Sequence, residues 1–434
     1  MINKVLSIVK KSVMKLFDKD KLKVYVYTAS NIATMLMAFA ISVLLTRWLN
    51  PEIYGKYKYA VNILFTLPTY FEFGIHFCSS RIVAEDNADE SHGVVPVSIG
   101  VLSALAVIIT FGLYMFIFTC KSFEIYTGIE KLNDVRIIFP FIIVFASNIV
   151  VTQLYQGTGK IYRLSAYSFI QYAIVIVGVV VGHYATLQLT FEYCIFVYII
   201  SNAVVQMPVL MRIRIQRDLI IPNFKRLFHD IKSFGIKIYL SSFATSGAST
   251  LIGLICGSIY GYSEYGYYTL AISLAQFFTF ISSSMATVKF KDNVKGKYLK
   301  KSDMLFMLFM NSLIYLVFSI MINKVFFWFY SPEYAKSIAY LRILAISYIF
   351  NGMALFYNRF FIARKMGNII MRNSFMVAAV NVIASIILIP LLKINGLVIA
   401  SLIASAYNFF QYIITYRSYL KNLKNGKKAV LDNE

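Results

Sequence analysis

Apolar runs of similar length recur along the chain, from about residue 25 to about residue 416. Each run is close to the ~20 residues that an α-helix needs to cross the hydrocarbon core of a bilayer. Short polar segments, several of them with proline or glycine, separate the runs. The pattern predicts twelve membrane-spanning helices, over 25–48, 58–80, 94–119, 137–156, 164–183, 190–211, 234–258, 266–288, 304–326, 338–361, 372–392 and 395–416.

The composition excludes a soluble domain of this size. The 434 residues are 59% hydrophobic and only 14% charged, and the mean hydropathy is +0.68. A soluble protein of this length must cover its surface with polar side chains that this chain lacks. We therefore expect an all-α integral membrane protein.

A motif in the first half of the chain recurs in the second half. Tyr54 and Gly55, which follow the helix-breaking pair Asn50-Pro51, return at one constant offset as Tyr265 and Gly266. Small or polar residues spaced by three and four precede both copies, as on one face of a helix. They are Asn31, Thr34, Ala38 and Ser42 in the first half, and Ser242, Thr245, Ser249 and Gly253 in the second. Since both halves share this stripe, we assign it to close helix packing.

The repeat predicts two lobes of six helices each, joined by a basic middle loop. Six is an even number, so both lobes run in the same direction and are related by a parallel pseudo-two-fold repeat. The expected organisation is a basic amphipathic segment 1–24, a first lobe 25–211, a basic cytoplasmic linker 212–233, a second lobe 234–416 and a basic cytoplasmic tail 417–434.

The net charge of +22 indicates contact with membrane lipids rather than with nucleic acid. Most of the 42 Lys and Arg fall in alternate loops and in both terminal segments. In membrane proteins such an excess marks the cytoplasmic side, where it also meets anionic headgroups. We therefore expect both termini in the cytoplasm.

Charged side chains within or at the ends of the spans are the candidate functional residues, because burying a charge in a membrane is costly. They predict a cationic cavity that receives an anionic cargo. Its basic residues would be Arg47, Lys58, Arg81, Arg342 and Arg359, supported by Asn31, Asn62, Glu72, Asn351 and Asn358. The alternative for Arg47, Arg81 and Arg342 is that each extends from a span end to lipid headgroups. Glu72 would neutralise a nearby base or, as the alternative, bind a coupling cation.

Several other chemistries have no support in the sequence. The four cysteines show no metal or paired spacing, and no phosphate-binding glycine loop with its lysine occurs, so we expect no metal, cofactor or ATPase site. A proton or a sodium ion could still serve as coupling ion.

The motifs taken together resemble a known family. Leu44 to Tyr57, with Phe71 to Ile75 before Ser80-Arg81 and Gln156 to Lys160, resembles the loop signatures of Wzx-type O-antigen flippases. These belong to the multidrug/oligosaccharidyl-lipid/polysaccharide (MOP) exporter superfamily, which includes the MATE transporters, and the twelve-span layout extends the resemblance over the whole chain.

The resemblance implies a flippase, not an enzyme, that moves an undecaprenyl-pyrophosphate-linked glycan across a bacterial inner membrane by alternating access. It also implies a cationic central cavity, which supports Arg47, Lys58, Arg81 and Arg359. A glycan polymerase and a chain-length regulator are the candidate protein partners. The rival hypotheses are a multidrug or cation antiporter of the same fold, for which Glu72 would be the acid, and a membrane enzyme, which would need a larger outer loop.

Overall fold

The chain is built from α-helices. The structure, a computed structural model, describes residues 19–86, 92–122, 129–158, 160–186, 189–213, 217–288, 298–364 and 366–424, and every long element within them is helical. The helices are α1 Lys19–Trp48, α2 Pro51–Tyr70, α3 Ile75–Glu85, α4 Val94–Ser122, α5 Ile129–Asp134, α6 Ile142–Gly157, α7 Ile161–Thr186, α8 Phe191–Leu210, α9 Arg217–Asp230, α10 Ile236–Ser242, α11 Ala248–Tyr260, α12 Tyr262–Ala275, α13 Phe280–Val288, α14 Lys301–Phe329, α15 Lys336–Ala363, α16 Gly367–Leu392 and α17 Ile394–Lys424.

The lengths of the helices confirm a multi-pass membrane protein. Among the described residues, nine helical segments are long and apolar enough to cross a bilayer. Two shorter apolar helices, Ile32–Trp48 and Ala248–Tyr260, overlap the first and seventh predicted spans. The total of twelve spans stays a prediction.

The second predicted span, 58–80, is wrong as a single helix. The chain forms α2 and α3 instead, and the break between them has Phe73 at φ 45° and Gly74 at φ 80°. Only glycine adopts the conformation of Gly74 without strain. A Cβ at Gly74 would also meet the backbone of Gly235, whose Cα would lie 2.9 Å away. The apolar pattern continues through this break and conceals it.

The sharp turn between α1 and α2 is held by side chains on both sides. The Oδ1 atom of Asn50 accepts a hydrogen bond from the Ile53 backbone N–H at 2.9 Å, which caps the first turn of α2. The Tyr334 hydroxyl donates to the Leu49 carbonyl oxygen at 2.9 Å. Burial raises the pKa of Tyr334, so the phenol keeps the proton that it donates.

The described chain forms two compact units. The first comprises Met1–Leu44, Phe71–Thr110 and Pro140–Ile236, and the second comprises Leu45–Tyr70, Phe111–Phe139 and Lys237–Glu434. Buried amides join α6, α7 and α8 within the first unit. Asn202 Oδ1 accepts from Asn148 Nδ2 at 2.7 Å and from Gln171 Nε2 at 3.0 Å.

The second unit packs α2 against α12, and α15 and α16 against α17. At one end of α15 and α17 a cluster of aromatic rings forms a buried core that includes Phe360, Phe361, Tyr412, Tyr416 and Tyr419. The predicted segment 1–24 and the tail 417–434 lie largely outside the described residues, and the predicted lobe boundaries stay a prediction.

Candidate functional site

Arg47 and Arg342 both contact α14. The Nε atom of Arg47 donates to the Phe329 carbonyl oxygen at 2.9 Å, and its Nη2 atom donates to the Trp328 carbonyl oxygen. These carbonyls belong to the last turn of α14, which has no following helical N–H groups to bond. Arg342 donates to Asn323 Oδ1 at 3.1 Å. Both arginines are exposed. Arg47 bonds the end of α14, and Arg342 bonds a side chain within α14, so both contacts lie in the second unit.

The other three predicted basic residues have different surroundings. Lys58 is half-buried on α2, with its Nζ atom 5.6 Å from the centre of the Tyr54 ring. The Nε atom of Arg81 lies 2.7 Å from Glu85 Oε1, one helical turn further along α3. Arg359 is exposed on α15 and makes no hydrogen bond or ion pair to any residue that the structure describes. Binding of an anion by these residues stays a prediction.

Glu72 lies in the break between α2 and α3, where it is 6% exposed. One of its carboxylate oxygens is 2.6 Å from the Nδ1 atom of His76, which is 5% exposed. These two buried atoms lie in contact, but neither has a hydrogen-bond partner among the residues that the structure describes. The side chain beside Glu72 is a histidine of the following helical turn, and neutralisation of a base by Glu72 stays a prediction.

A polar cavity lies within the second unit. It has a volume of about 610 Å³, and its wall is formed by α2, α11, α12, α15, α16 and α17. Two of the predicted supporting residues, Asn62 and Asn351, lie together in this wall. Asn358 lies elsewhere and donates to the Tyr412 hydroxyl at 2.7 Å, while Asn31 lies on α1.

The wall of this cavity is polar but uncharged. Within the described part of the chain, its lining contains no Lys, Arg, Asp or Glu. It contains instead five amide side chains and many hydroxyls, with apolar side chains such as Ile272, Leu344 and Val377 between them. The amides are Asn62, Gln276, Asn351, Asn381 and Asn408. The predicted basic residues do not line this cavity.

A local irregularity of helix geometry contributes to the cavity wall. The segment Phe243–Gly247 forms a π-helical turn, which inserts an extra residue and directs Ser246 into the lining. The Tyr70 hydroxyl donates to the Gly247 carbonyl oxygen at 2.7 Å and stabilises the end of this turn. On the other side, Asn62 Nδ2 donates to the Tyr265 hydroxyl at 2.6 Å.

Only two residues of this lining were predicted from the sequence, although a signal for others was present. Ser249 and Gly253, assigned to helix packing, both line the cavity. Asn381 and Asn408 were not selected at all. The signal was the recurrence of asparagine within long apolar runs, since a neutral amide in a span also needs polar partners.

The family of the chain follows from its sequence over residues 22–290. These residues match the model of a family described as "Polysaccharide biosynthesis protein". The match covers more than half of the 434 residues. The chain belongs to this polysaccharide biosynthesis family. The resemblance inferred from the loop motifs is thereby confirmed at the level of the family.

Solved structures give the fold of this family member. A multidrug resistance MATE family transporter of the MOP superfamily, in an inward-facing conformation, matches with a TM-score of 0.61 at 15% identity, over 92% of this chain and 96% of that one. The lipid II flippase MurJ, in an inward closed conformation, matches with a TM-score of 0.63 at 13% identity, over 92% and 90%. No curated protein sequence matches the chain.

A third match is a MOP superfamily transporter from Pyrococcus furiosus, described as having a binding pocket of reverse polarity. It matches with a TM-score of 0.52 at 18% identity over 94% of both chains. Identities this low establish the fold alone, so this polysaccharide biosynthesis protein has the MATE-like fold that the sequence predicted.

Proposed function

We propose that the protein is a flippase for a lipid-linked oligosaccharide. The observation that carries the proposal is the uncharged cavity of about 610 Å³ among membrane helices of a polysaccharide biosynthesis protein. Sugars are rich in hydroxyl groups, and moving them across a bilayer requires polar side chains that replace water. Hydroxyls and amides without net charge do this for a neutral saccharide.

The proposed cargo is an undecaprenyl-pyrophosphate-linked glycan of a bacterial inner membrane. The polyprenyl tail would remain in the lipid while the saccharide moves through the protein by alternating access. The pyrophosphate needs cationic partners, and Lys58 and Arg359 are the best candidates. Arg359 is exposed and Lys58 is only half-buried, so a ligand can reach both side chains. The proposed orientation places both termini in the cytoplasm.

The proposal is tested by transport with purified protein. Vesicles containing the full chain and a fluorescently labelled undecaprenyl-pyrophosphate disaccharide are treated with a membrane-impermeant quencher. We expect the quenched fraction to rise from about half to nearly all of the label, because flipping exposes both leaflets to the quencher. A quenched fraction that stays at the level of protein-free vesicles would refute the proposed function.

The second candidate function is a multidrug antiporter, which the MATE-like fold favours. It predicts that overexpression lowers the accumulation of a cationic dye in cells, and that Glu72→Gln abolishes the effect. Dye accumulation that is the same with and without the protein would leave the flippase as the better assignment.

A further inference from the structure

Four hydroxyl groups of the cavity wall use their proton within their own helix. Thr250 donates its hydroxyl proton to the Ser246 carbonyl oxygen at 3.0 Å, and Ser401 donates to the Leu397 carbonyl oxygen at 3.0 Å. Thr269 and Ser405 donate in the same way to carbonyls of their own helices. A hydroxyl whose proton is engaged in its helix presents only oxygen lone pairs to the cavity.

Asn381 adds an acceptor that lacks a partner. This residue of α16 is 5% exposed, and its Nδ2 atom donates to Ser249 Oγ on α11 at 2.8 Å. Its Oδ1 atom is shielded from solvent and accepts no hydrogen bond from the residues that the structure describes, so the side chain must rotate to present this oxygen to a ligand. A buried carbonyl oxygen without a donor costs free energy, so a ligand that supplies a donor gains by binding here.

Because the described part of the wall carries no charged side chain, it limits which ligands can supply this donor. A carboxylate or a phosphate carries a negative charge for which the described lining holds no cation, and it would also meet the lone pairs of Thr250 and Ser401. Burying such an anion without a partner is strongly unfavourable. A sugar hydroxyl or an acetamido N–H supplies the missing donor without any charge.

The cavity also has the size and the apolar surface that a sugar needs. Its volume of about 610 Å³ lies within the ~300–1,000 Å³ of typical ligand pockets. The rings of Tyr268 and Tyr348 line it beside the polar groups. Aromatic rings offer an apolar face together with a polar tip, which suits the alternating C–H and O–H groups of a pyranose.

We propose that this cavity is a subsite for uncharged sugar residues, in which Asn381 Oδ1 accepts a hydrogen bond from a sugar hydroxyl or acetamido N–H. The subsite admits neutral and acetamido sugars and rejects those that carry a carboxylate or a phosphate. This inference rests on the proposed flippase function and names the sugar class that the cargo brings to the cavity.

The test measures binding of free sugars directly. The full chain is placed in lipid nanodiscs free of sugar detergents, and saturation-transfer NMR is recorded with N,N′-diacetylchitobiose and with cellobiouronic acid. We expect saturation transfer to the neutral disaccharide, and a signal at least about tenfold weaker for the acidic one. Equal signals for both probes, or none for the neutral one, would overturn the subsite.

Three variants connect the signal to the cavity. Asn381→Leu removes the unpartnered acceptor, and Asn351→Leu changes an exposed position of the cavity wall. Both should lower the signal at least about fivefold. The control is Asn311→Leu, because Asn311 is also a buried amide that donates to a serine hydroxyl, Ser282 at 3.0 Å, but it lies outside the lining.

The Asn311→Leu protein should bind the neutral disaccharide like the original chain. If Asn381→Leu and Asn351→Leu proteins with unchanged melting temperatures also bind it fully, the subsite is refuted. The vesicle assay separates this outcome from failure of the proposed function. Flipping without sugar binding refutes the subsite alone, whereas sugar binding without flipping refutes the function and leaves the subsite in place.

Discussion

Gly55 of α2 and Gly266 of α12 lie directly against each other. A Cβ built on Gly266 would be 3.1 Å from both the Cα and the N atom of Gly55, and one built on Gly55 would overlap the Tyr262 carbonyl oxygen. These glycines are the two copies of the repeated Tyr-Gly motif. The recurrence that the sequence shows therefore has a physical cause, since α2 and α12 can cross at this distance only where neither carries a side chain.

The first prediction tests this crossing. Alanine in a helix normally stabilises relative to glycine, by ~0.5–1 kcal/mol, but at Gly55 or Gly266 it must push two backbones apart. We expect Gly266→Ala to lower the melting temperature of the purified protein by ~2–6 °C, and Gly55→Ala by at least as much. The control is Gly100→Ala, because a Cβ there meets nothing within 4 Å. A melting temperature of Gly266→Ala equal to that of Gly100→Ala would contradict the close crossing.

The second prediction concerns Arg47, whose guanidinium bonds the last carbonyls of α14. Cations and hydrogen-bond donors at the C-terminus of a helix stabilise it. We expect Arg47→Met to lower the melting temperature by ~2–4 °C. Arg359→Met is the matched control, because Arg359 is equally exposed and makes no polar contact to the described residues. Loss of flipping at an unchanged melting temperature would instead favour a role of Arg47 in binding the anion.

Periodicity and composition were sufficient to predict the helical membrane fold, because each span must bury its backbone polar groups and expose apolar side chains to lipid. They could not locate the break at Gly74. The residues on either side are apolar, and the cause is a local backbone conformation together with the approach of Gly235, far along the chain.

The candidate site was predictable only in part. Asn62 and Asn351 were selected and do line the cavity, but Asn381 and Ser249 were not recognised. A single sequence indicates which residues share one helix face. It does not indicate which faces of several helices meet. A stripe of small polar residues lines a cavity where several such faces meet around a space, and it is a packing surface where two helices touch directly.

The third prediction concerns the amides of the first unit. Asn202 Oδ1 accepts from Asn148 and Gln171, and Asn202 is fully buried. Asn202→Leu leaves two buried N–H donors without a partner, at ~1–3 kcal/mol each. We expect a fall in melting temperature of at least ~5 °C, measured by thermal unfolding in detergent.

The matched comparison replaces all three amides by leucine. Removing the donors together with the acceptor leaves none of these three groups without its partner, so the triple variant should be more stable than Asn202→Leu alone. A triple variant that is less stable than the single one would show that packing, not hydrogen bonding, dominates at Asn202.

The fourth prediction concerns Glu72 and His76, two buried side chains whose carboxylate oxygen and Nδ1 atom lie 2.6 Å apart. Glu72→Gln removes the charge but keeps the shape of the side chain, so we expect nearly the original yield of folded protein. His76→Ala removes the partner from a buried carboxylate, and we expect a severe loss of folded protein. Fluorescence-detected size exclusion measures both yields. If Glu72→Gln folds normally but no longer flips the labelled lipid, Glu72 acts in coupling rather than in neutralising His76.

The fifth prediction uses the contact between α9 and the end of α3. Arg226 donates to both carboxylate oxygens of Asp86, at 2.6 and 3.0 Å. These hydrogen bonds, together with the charges of Arg226 and His92, lower the pKa of Asp86. A carboxyl group with a lowered pKa stabilises the folded state at pH values above its ordinary pKa. The stabilisation is lost as the pH falls through the lowered pKa.

The variant Asp86→Asn should therefore melt slightly below the original protein at pH 7, by about 2 °C at most because the pair is exposed to solvent and screened. The difference should shrink as the pH falls below about 4, where the unfolded chain already binds the proton. It should also shrink in high salt, which screens exposed charges. A difference that grows on acidification would mean that folding raises the pKa of Asp86 instead of lowering it, and that Arg226 is not its partner.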